Sequence, residues 1–80
     1  MYYVYIIKSI NFSEHIYVGY TTNLVERIEK HNSGGSIYTA KYKPWELVMY
    51  LGFVDKGRAI GFEAYLKSGS GRAFAVKRLL

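Results

Sequence analysis

The sequence opens with YYVYIIK at residues 2–8, followed at residues 16–20 by IYVGY, and these two stretches decide the fold. Both consist almost entirely of β-branched and aromatic residues, which favour β-strands. The polar residues 9–15 between them predict the loop of a hairpin. The chain is therefore expected to begin with two antiparallel strands.

Side chains alternate between the two faces of a strand, so Tyr3 and Tyr5 point one way, and Tyr17 and Gly19 share one face of the neighbouring strand. A glycine inside a strand marks a bulge or a position where backbone or ligand comes close, which gives Gly19 a structural role. Two phenols on paired strands can be a cross-strand aromatic pair and nothing more. The alternation alone leaves the role of these tyrosines open.

Beyond the hairpin the pattern becomes helical. Asn23, with Glu26 three positions on, has the form of a capping box and predicts a helix that runs to about His31. Residues 32–44 are polar, Gly-rich and basic, which indicates a long loop. Residues 45–53 are apolar at nearly every position, as expected of a strand that is covered on both faces.

From residue 56 a second helix is expected, with an apolar face formed by Ala59, Phe62 and Leu66. Gly69 sits where that helix would stop, and Ser70 can cap a final short helix whose apolar residues are Phe74 and Val76. The element order ββαβαα predicts the α+β class, with a small three-stranded antiparallel sheet flanked by helices.

Composition fits one small domain over residues 1–80. The absence of cysteine excludes disulfides, zinc ribbons and thiolate chemistry. Half of the residues are hydrophobic and 18% are aromatic, which excludes a disordered chain. The apolar opening lacks the preceding cations of a secretory signal, so a cytoplasmic protein is expected.

The net charge of +5 lies entirely in residues 56–80, where six basic side chains stand against the single acid Glu63. Such a segment indicates a polyanionic partner, nucleic acid before membrane, although a solubilising charged face is the alternative. The side chains expected to contact a nucleic acid backbone are Lys41, Lys43, Lys67, Arg72, Lys77 and Arg78.

Three polar residues occupy positions that packing alone does not explain. Arg27 and His31 share or flank the buried face of the first helix, at three and seven residues from Leu24. Arg27 either meets an anion or reaches past the core to water, and His31 either joins a site or caps the last carbonyls. Glu63, beside the apolar face of its helix, is either a salt-bridge partner or a ligand that holds a divalent ion together with phosphate oxygens.

Taken in order, these residues resemble the GIY-YIG nuclease superfamily, especially its small single-domain bacterial proteins similar to the N-terminal domain of excinuclease C. The first motif is YVY at residues 3–5, with Tyr in place of the leading Gly, and the second is YVG at residues 17–19, with Val in place of Ile. Arg27, His31 and Glu63 follow in the order that this superfamily has. The match extends over essentially the whole chain.

The resemblance implies hydrolysis of phosphodiester bonds in DNA by in-line attack of water, with one divalent cation, Mg²⁺ or Mn²⁺. By position, Tyr17 would be the general base or part of the relay that activates water, and Tyr5 would orient the nucleophile or the phosphate. Arg27 would neutralise charge on the phosphoryl oxygens, and His31 would assist proton transfer or contact phosphate. Glu63 would bind the metal that stabilises the leaving oxygen.

Two departures from the superfamily pattern bear on activity: Tyr20 stands where some members have Lys, and no Asn follows Glu63. They keep a rival open, a nucleic-acid-binding module of the same fold that cuts weakly or not at all. A third alternative is a structural protein whose tyrosines only pack. The resemblance implies DNA repair as the setting, and so short a chain is expected to take substrate selectivity from itself or from a protein partner.

Overall fold

Three antiparallel strands, β1 (Tyr2–Ser9), β2 (Ile16–Thr21) and β3 (Trp45–Phe53), form one sheet in the spatial order β2-β1-β3. The computed structural model describes all residues from 1 to 80. The hairpin expected from the first two segments is present, and β1 lies at the centre because it pairs with both other strands.

Four helices complete the fold: α1 (Leu24–Asn32), α2 (Ile37–Ala40), α3 (Lys56–Lys67) and α4 (Gly69–Arg78). The α+β architecture is confirmed, with the observed order ββααβαα. The expectation of a loop throughout residues 32–44 is wrong at α2, because a single helical turn is too short to leave a periodic pattern in the sequence. None of the helices is long and apolar enough to cross a membrane.

The two faces of β1 belong to two different hydrophobic clusters. On one face Val4 and Ile6 are buried under α3 and α4. On the other face Tyr5 and Ile7 are buried together with Trp45, and residues of α1 pack against them. The sheet therefore carries a helical layer on each side of its central strand.

β3 is an edge strand, and the expectation that both of its faces are covered is wrong. Trp45 is buried, but Leu47, Tyr50 and Leu51 are exposed. A continuous apolar run does not by itself distinguish a doubly covered strand from other buried segments. A chain of this length also has too little material to cover both faces of every strand.

α1 begins where the capping signal places it. The Asn23 side chain accepts a hydrogen bond from the Glu26 N–H at 3.1 Å. The reciprocal half of the capping box is not made, because the Asn23 N–H donates to the Thr21 hydroxyl at 3.1 Å instead. The side chains of Asn23 and Thr21 therefore each accept a hydrogen bond from one backbone N–H group at the start of α1.

The junction between α3 and α4 lies two residues earlier than the sequence suggests. Ser68 is the single extended residue between the helices, and its hydroxyl accepts from the Gly71 N–H at 3.1 Å, so Ser68 and not Ser70 is the N-cap. Gly69 does not stop a helix but starts α4. Serine is a good cap at both positions, so the sequence could not choose between them.

α4 faces the core through Gly71 and Ala75, whereas Phe74 and Val76 are exposed. The apolar residues of this helix are thus not the ones that it buries, because the space under α4 admits only small side chains. A Cβ at Gly71 would collide with the Tyr65 carbonyl of α3. The last two helices thus meet at backbone contact distance.

We therefore predict that Gly71→Ala lowers the free energy of unfolding by about 1–3 kcal/mol, the usual cost of overpacking. Gly61→Ala is the matched control, because a Cβ at Gly61 in the interior of α3 meets nothing within 4 Å. Alanine at that exposed helical position should stabilise by about 0.4–1 kcal/mol. Urea denaturation of both variants checks this, and equal effects of the two substitutions would contradict the close approach of α3 and α4.

Candidate active site

Tyr5 lies fully buried in the middle of β1, opposite Gly19 of β2. A Cβ at Gly19 would collide with the phenol of Tyr5, so the missing side chain makes room for this ring. The β1–β2 register is regular through the pair. Gly19 is therefore not a bulge, and what comes close to it is a side chain, the Tyr5 ring, and not the backbone or ligand that the sequence analysis expected.

A chain of buried hydrogen bonds starts at the Tyr5 hydroxyl. It lies 2.7 Å from Nε2 of His31, and Nδ1 of His31 lies 2.8 Å from the hydroxyl of Thr39. His31 is only 2% exposed and Thr39 is fully buried. The His31 ring thus bridges β1 and α2 beneath the surface, and both of its nitrogens have a partner.

The protonation of this chain follows from its surroundings. Burial and the adjacent Tyr17 phenol raise the pKa of Tyr5 to about 12, against the partial lowering by Arg27, so Tyr5 keeps its proton at neutral pH. Burial lowers the pKa of His31, as do the charges of Arg27 and Lys30. The Tyr5 O–H therefore donates to Nε2 of a neutral His31, whose Nδ1–H donates to Thr39.

Tyr17 lies on the solvent-facing side of the Tyr5 and His31 rings. Its ring centroid lies 6.4 Å from that of Tyr5 and 5.1 Å from that of His31. Its ring is half-buried and lines a cleft of about 520 Å³, here called the β2-edge cleft, which residues from both faces of the sheet enclose. Of the phenols on the paired strands, Tyr17 is the one that a substrate in this cleft would reach.

Arg27 on α1 is half-buried beside these rings. Its guanidinium donates to the Tyr20 carbonyl at 3.5 Å and is close enough to Tyr5 and His31 to influence the pKa of each. The ion pairs of the chain are His15–Glu14 and Lys67–Glu63, so Arg27 has no carboxylate partner. A half-buried guanidinium without a counter-ion is suited to an anionic ligand such as phosphate.

Glu63 belongs to the other helical layer, because it lies on α3, which covers the face of the sheet opposite to α1. Its neighbours Leu66 and Lys67 line the β2-edge cleft beside Tyr17, whereas Glu63 and Arg27 do not line it. Lys67 pairs with Glu63 at 3.0 Å, and its Nζ lies 5.9 Å from the centroid of the Tyr17 ring. The charge of Glu63 is also close enough to raise the pKa of Tyr5.

The residues present fit a metal that is held mainly by substrate and water. No group of three or more His, Cys, Asp or Glu side chains is placed to form a protein cage for an ion. Glu63 offers one partly exposed carboxylate, now paired with Lys67. One carboxylate suits Mg²⁺, which keeps several waters and commonly completes its shell with phosphate oxygens.

Only part of the predicted nucleic-acid surface lies at this site. Lys67 and Arg72 line the β2-edge cleft. Four other cations are exposed but do not line it: Lys41, Lys43, Lys77 and Arg78. The cleft therefore has its own pair of basic side chains, and the four remaining cations lie outside it.

Residues 1–76 match the family model of the GIY-YIG catalytic domain. The chain belongs to the GIY-YIG family. It is 43% identical over 68 residues to a UPF0213 protein of Clostridium perfringens, a match that covers 84% of this chain and 71% of the relative. The solution NMR structure of a UPF0213 protein from Bacillus halodurans aligns with a TM-score of 0.57 at 36% identity, covering 96% of this chain and 84% of that one.

Relatives of this GIY-YIG chain also include the structure-specific endonuclease subunit SLX1 of Vanderwaltozyma polyspora. The two are 39% identical over 66 residues, which is 74% of this chain and 21% of the relative. An SLX1 homologue of Giardia intestinalis is 35% identical over 65 residues, or 76% of this chain and 18% of the relative. The chain thus spans about a fifth of the length of these relatives.

The sequence pattern did not identify the residues that hold His31 and Thr39 in place on the buried side of the candidate site. The Thr39 carbonyl accepts from the Trp45 indole at 2.7 Å, and the Asn32 side chain pairs with the backbone of Trp45 at 2.6 and 3.1 Å. These bonds tie α1, α2 and β3 together under His31. The only sequence signal is a threonine within a polar stretch, which any surface loop would also show.

We predict that Thr39→Val leaves the His31 Nδ1–H without an acceptor, which lowers the free energy of unfolding by about 1–3 kcal/mol. Thr39→Ser keeps the hydroxyl and should recover most of the loss. Nitrogen NMR of His31 reports which ring nitrogen carries the proton, and we expect Nδ1 in the native chain and in the serine variant. An unchanged tautomer together with unchanged stability in the valine variant would contradict the assigned hydrogen-bond chain.

Proposed function

We propose that this chain is a metal-dependent endonuclease that hydrolyses phosphodiester bonds in DNA beside Tyr17, the one proposed site residue that lines the β2-edge cleft. The observation that carries the proposal is the guanidinium of Arg27, which has no carboxylate partner and lies near Tyr5, with Tyr17 of β2 and Glu63 of the opposite helical layer also close enough to influence that phenol. Phosphoryl transfer requires mainly positioning and electrostatic stabilisation, which this arrangement offers. Membership of the GIY-YIG family and similarity to SLX1 endonuclease subunits support the same reaction.

In this proposal the side chains divide the work by position. Tyr17, which is open to the cleft, acts as its phenolate: its hydroxyl proton leaves to solvent, and the phenolate oxygen then accepts a proton from the attacking water. Tyr5 keeps its own proton and holds the ring of Tyr17 in place by packing against it. Arg27 binds the scissile phosphate and stabilises the charge that gathers on its oxygens in the transition state.

Glu63 would hold the divalent ion. When bound, such an ion neutralises negative charge on the leaving oxygen. Lys67, which now pairs with Glu63, would be released by the ion and become free to contact the DNA backbone. The choice between Mg²⁺ and Mn²⁺ is part of the experiment below.

His31 acts through Tyr5 in this scheme. Of the two roles that the resemblance implies, direct phosphate contact does not suit a ring that is 2% exposed and bonded at both nitrogens. His31 is therefore proposed as a positioning residue that fixes the Tyr5 hydroxyl. Because the SLX1 relatives are named as subunits of a structure-specific endonuclease, a partner protein that selects the DNA structure is part of the proposal.

The rival function is a binding module that does not cut, and two features favour it: Tyr20 stands where some members of the superfamily have Lys, and no Asn follows Glu63. Nicking of supercoiled plasmid by the purified chain separates the two functions. We expect nicked circles with Mg²⁺ or Mn²⁺ and none in EDTA. Salt-dependent binding of the plasmid without nicking in either ion would overturn the nuclease and favour the binding module.

A further inference from the structure

A row of aromatic side chains leads away from Tyr17 along the surface. The Tyr38 ring lies 6.1 Å from Tyr17, and Tyr42 lies 5.8 Å from Tyr38. His15 stacks on Tyr42 at 3.8 Å, and Phe12 packs edge-on against Tyr42 at 5.6 Å. These five residues, here called the aromatic row, join the hairpin loop, β2 and the α2 segment.

The members of the aromatic row differ in exposure. The face-to-face pair of His15 and Tyr42 is half-buried, which accounts for it as packing of the hairpin loop. Tyr38 and Phe12 are 48% and 45% exposed, so large parts of their rings have no partner in the chain. Packing alone therefore does not account for Tyr38 and Phe12.

Tyr38 is held firmly although it faces solvent. Its neighbour Thr39 is fully buried, hydrogen-bonded to His31 through its hydroxyl and to Trp45 through its carbonyl. The backbone that carries the Tyr38 ring is thus fixed from below. A ring presented in this way loses little conformational freedom when a flat ligand stacks on it.

Cations stand beside the row. Tyr17 and Tyr38 line the β2-edge cleft together with Lys67 and Arg72, and the single acid on its wall is Glu14, which is exposed and lies 3.8 Å from His15. Aromatic rings interleaved with basic side chains are the features by which proteins hold unpaired nucleotides: the rings stack on the bases and the cations follow the backbone.

We propose that the aromatic row, with Tyr38 as its principal ring, is a stacking surface for unpaired bases next to the scissile phosphate. The proposal rests on the proposed function, because the row starts at Tyr17. Bases in a duplex already stack on one another and cannot offer their faces to a ring. The preferred substrate would therefore carry a single-stranded segment at the cleavage site.

The test is fluorescence anisotropy in EDTA with three labelled probes: a twelve-nucleotide oligo-dT, the matching oligo-rU and a twelve-base-pair DNA duplex. We expect the native chain to bind oligo-dT more tightly than duplex. Tyr38→Ala should weaken single-strand binding by roughly 5- to 150-fold, the usual effect of losing one stacked base. Duplex affinity should stay unchanged, and Tyr38→Phe should retain single-strand affinity.

Tyr50→Ala is the matched control, since Tyr50 is 53% exposed but lies on the opposite edge strand β3. Equal effects of Tyr38→Ala and Tyr50→Ala, or equal affinity of the native chain for single strand and duplex, would overturn the stacking surface. Similar loss with oligo-rU supports recognition of the base face whatever the sugar, loss confined to one of the two single-strand probes identifies that nucleic acid as the ligand, and loss confined to the duplex would also overturn the proposal. Circular dichroism confirms folding of each variant.

Because EDTA removes any metal from this assay, its result is independent of cleavage. A loss specific to Tyr38 in a chain that never nicks DNA would overturn the proposed nuclease and leave the stacking surface standing. If the chain nicks DNA but Tyr38→Ala does not change its affinity for single strands, the stacking surface is overturned and the proposed nuclease stands.

Discussion

Replacement of Glu63 by glutamine is expected to lower the rate of metal-dependent DNA cleavage by roughly 10²- to 10³-fold, the usual loss when one preorganised electrostatic group is removed. Glutamine preserves the shape of the side chain but removes the charge that a divalent ion requires. The fold should be unaffected, because the ion pair with Lys67 is partly exposed and such pairs contribute little stability. Single-turnover rates at saturating protein measure the effect.

Glu46→Gln is the control for this substitution, since Glu46 is an exposed acid on β3, the edge strand opposite to the β2-edge cleft. It should cleave at the native rate. DNA affinity of the Glu63→Gln chain in EDTA should be equal to the native value or higher, because one negative charge is gone. A native cleavage rate in Glu63→Gln would place the metal elsewhere.

Tyr17→Phe is expected to produce the second large effect, a loss of about 10²- to 10⁴-fold in cleavage rate at unchanged DNA affinity, because it removes the proton acceptor and nothing else. The ring remains, so the packing against Tyr5 and His31 and the cation–π contact with Lys67 are retained. Single-turnover kinetics with the same DNA isolates the chemical step from binding.

Tyr20→Phe provides the comparison within the same strand. Tyr20 lies three residues further along β2 but packs in the other cluster, where its ring stacks on Tyr2. It should leave the rate unchanged. Equal losses of cleavage rate in Tyr17→Phe and Tyr20→Phe would mean that the tyrosine hydroxyls of β2 act through the structure and not through the chemistry. A native rate in Tyr17→Phe would show that another group activates the water.

The elements that the sequence predicts correctly are those with a strong local signal. The hairpin follows from β-branched and aromatic runs, α1 starts at its Asn23 cap, and α3 buries Ala59 and Leu66 as its period requires. The errors fall where no local signal exists. A four-residue helix has no period, and the exposed faces of β3 depend on what the rest of a short chain is able to cover.

The candidate site divides in the same way. The family resemblance supplies the positions of Tyr5, Tyr17, Arg27, His31 and Glu63. It does not supply their arrangement. The resemblance does not say that the buried His31 ring bonds the Tyr5 hydroxyl, or that Glu63 belongs to the helical layer on the other face of the sheet. Such relations depend on contacts between residues far apart in the chain, and side-chain spacing along one strand or helix contains no record of them.

The most direct test of the nuclease assignment compares the native chain with the double variant Tyr17→Phe/Glu63→Gln on an end-labelled DNA that contains both paired and unpaired segments. We expect cleavage by the native chain in Mg²⁺ or Mn²⁺, none in EDTA, and none by the double variant in either ion, with both proteins folded by circular dichroism. Cleavage by the double variant at the native rate would contradict the assignment.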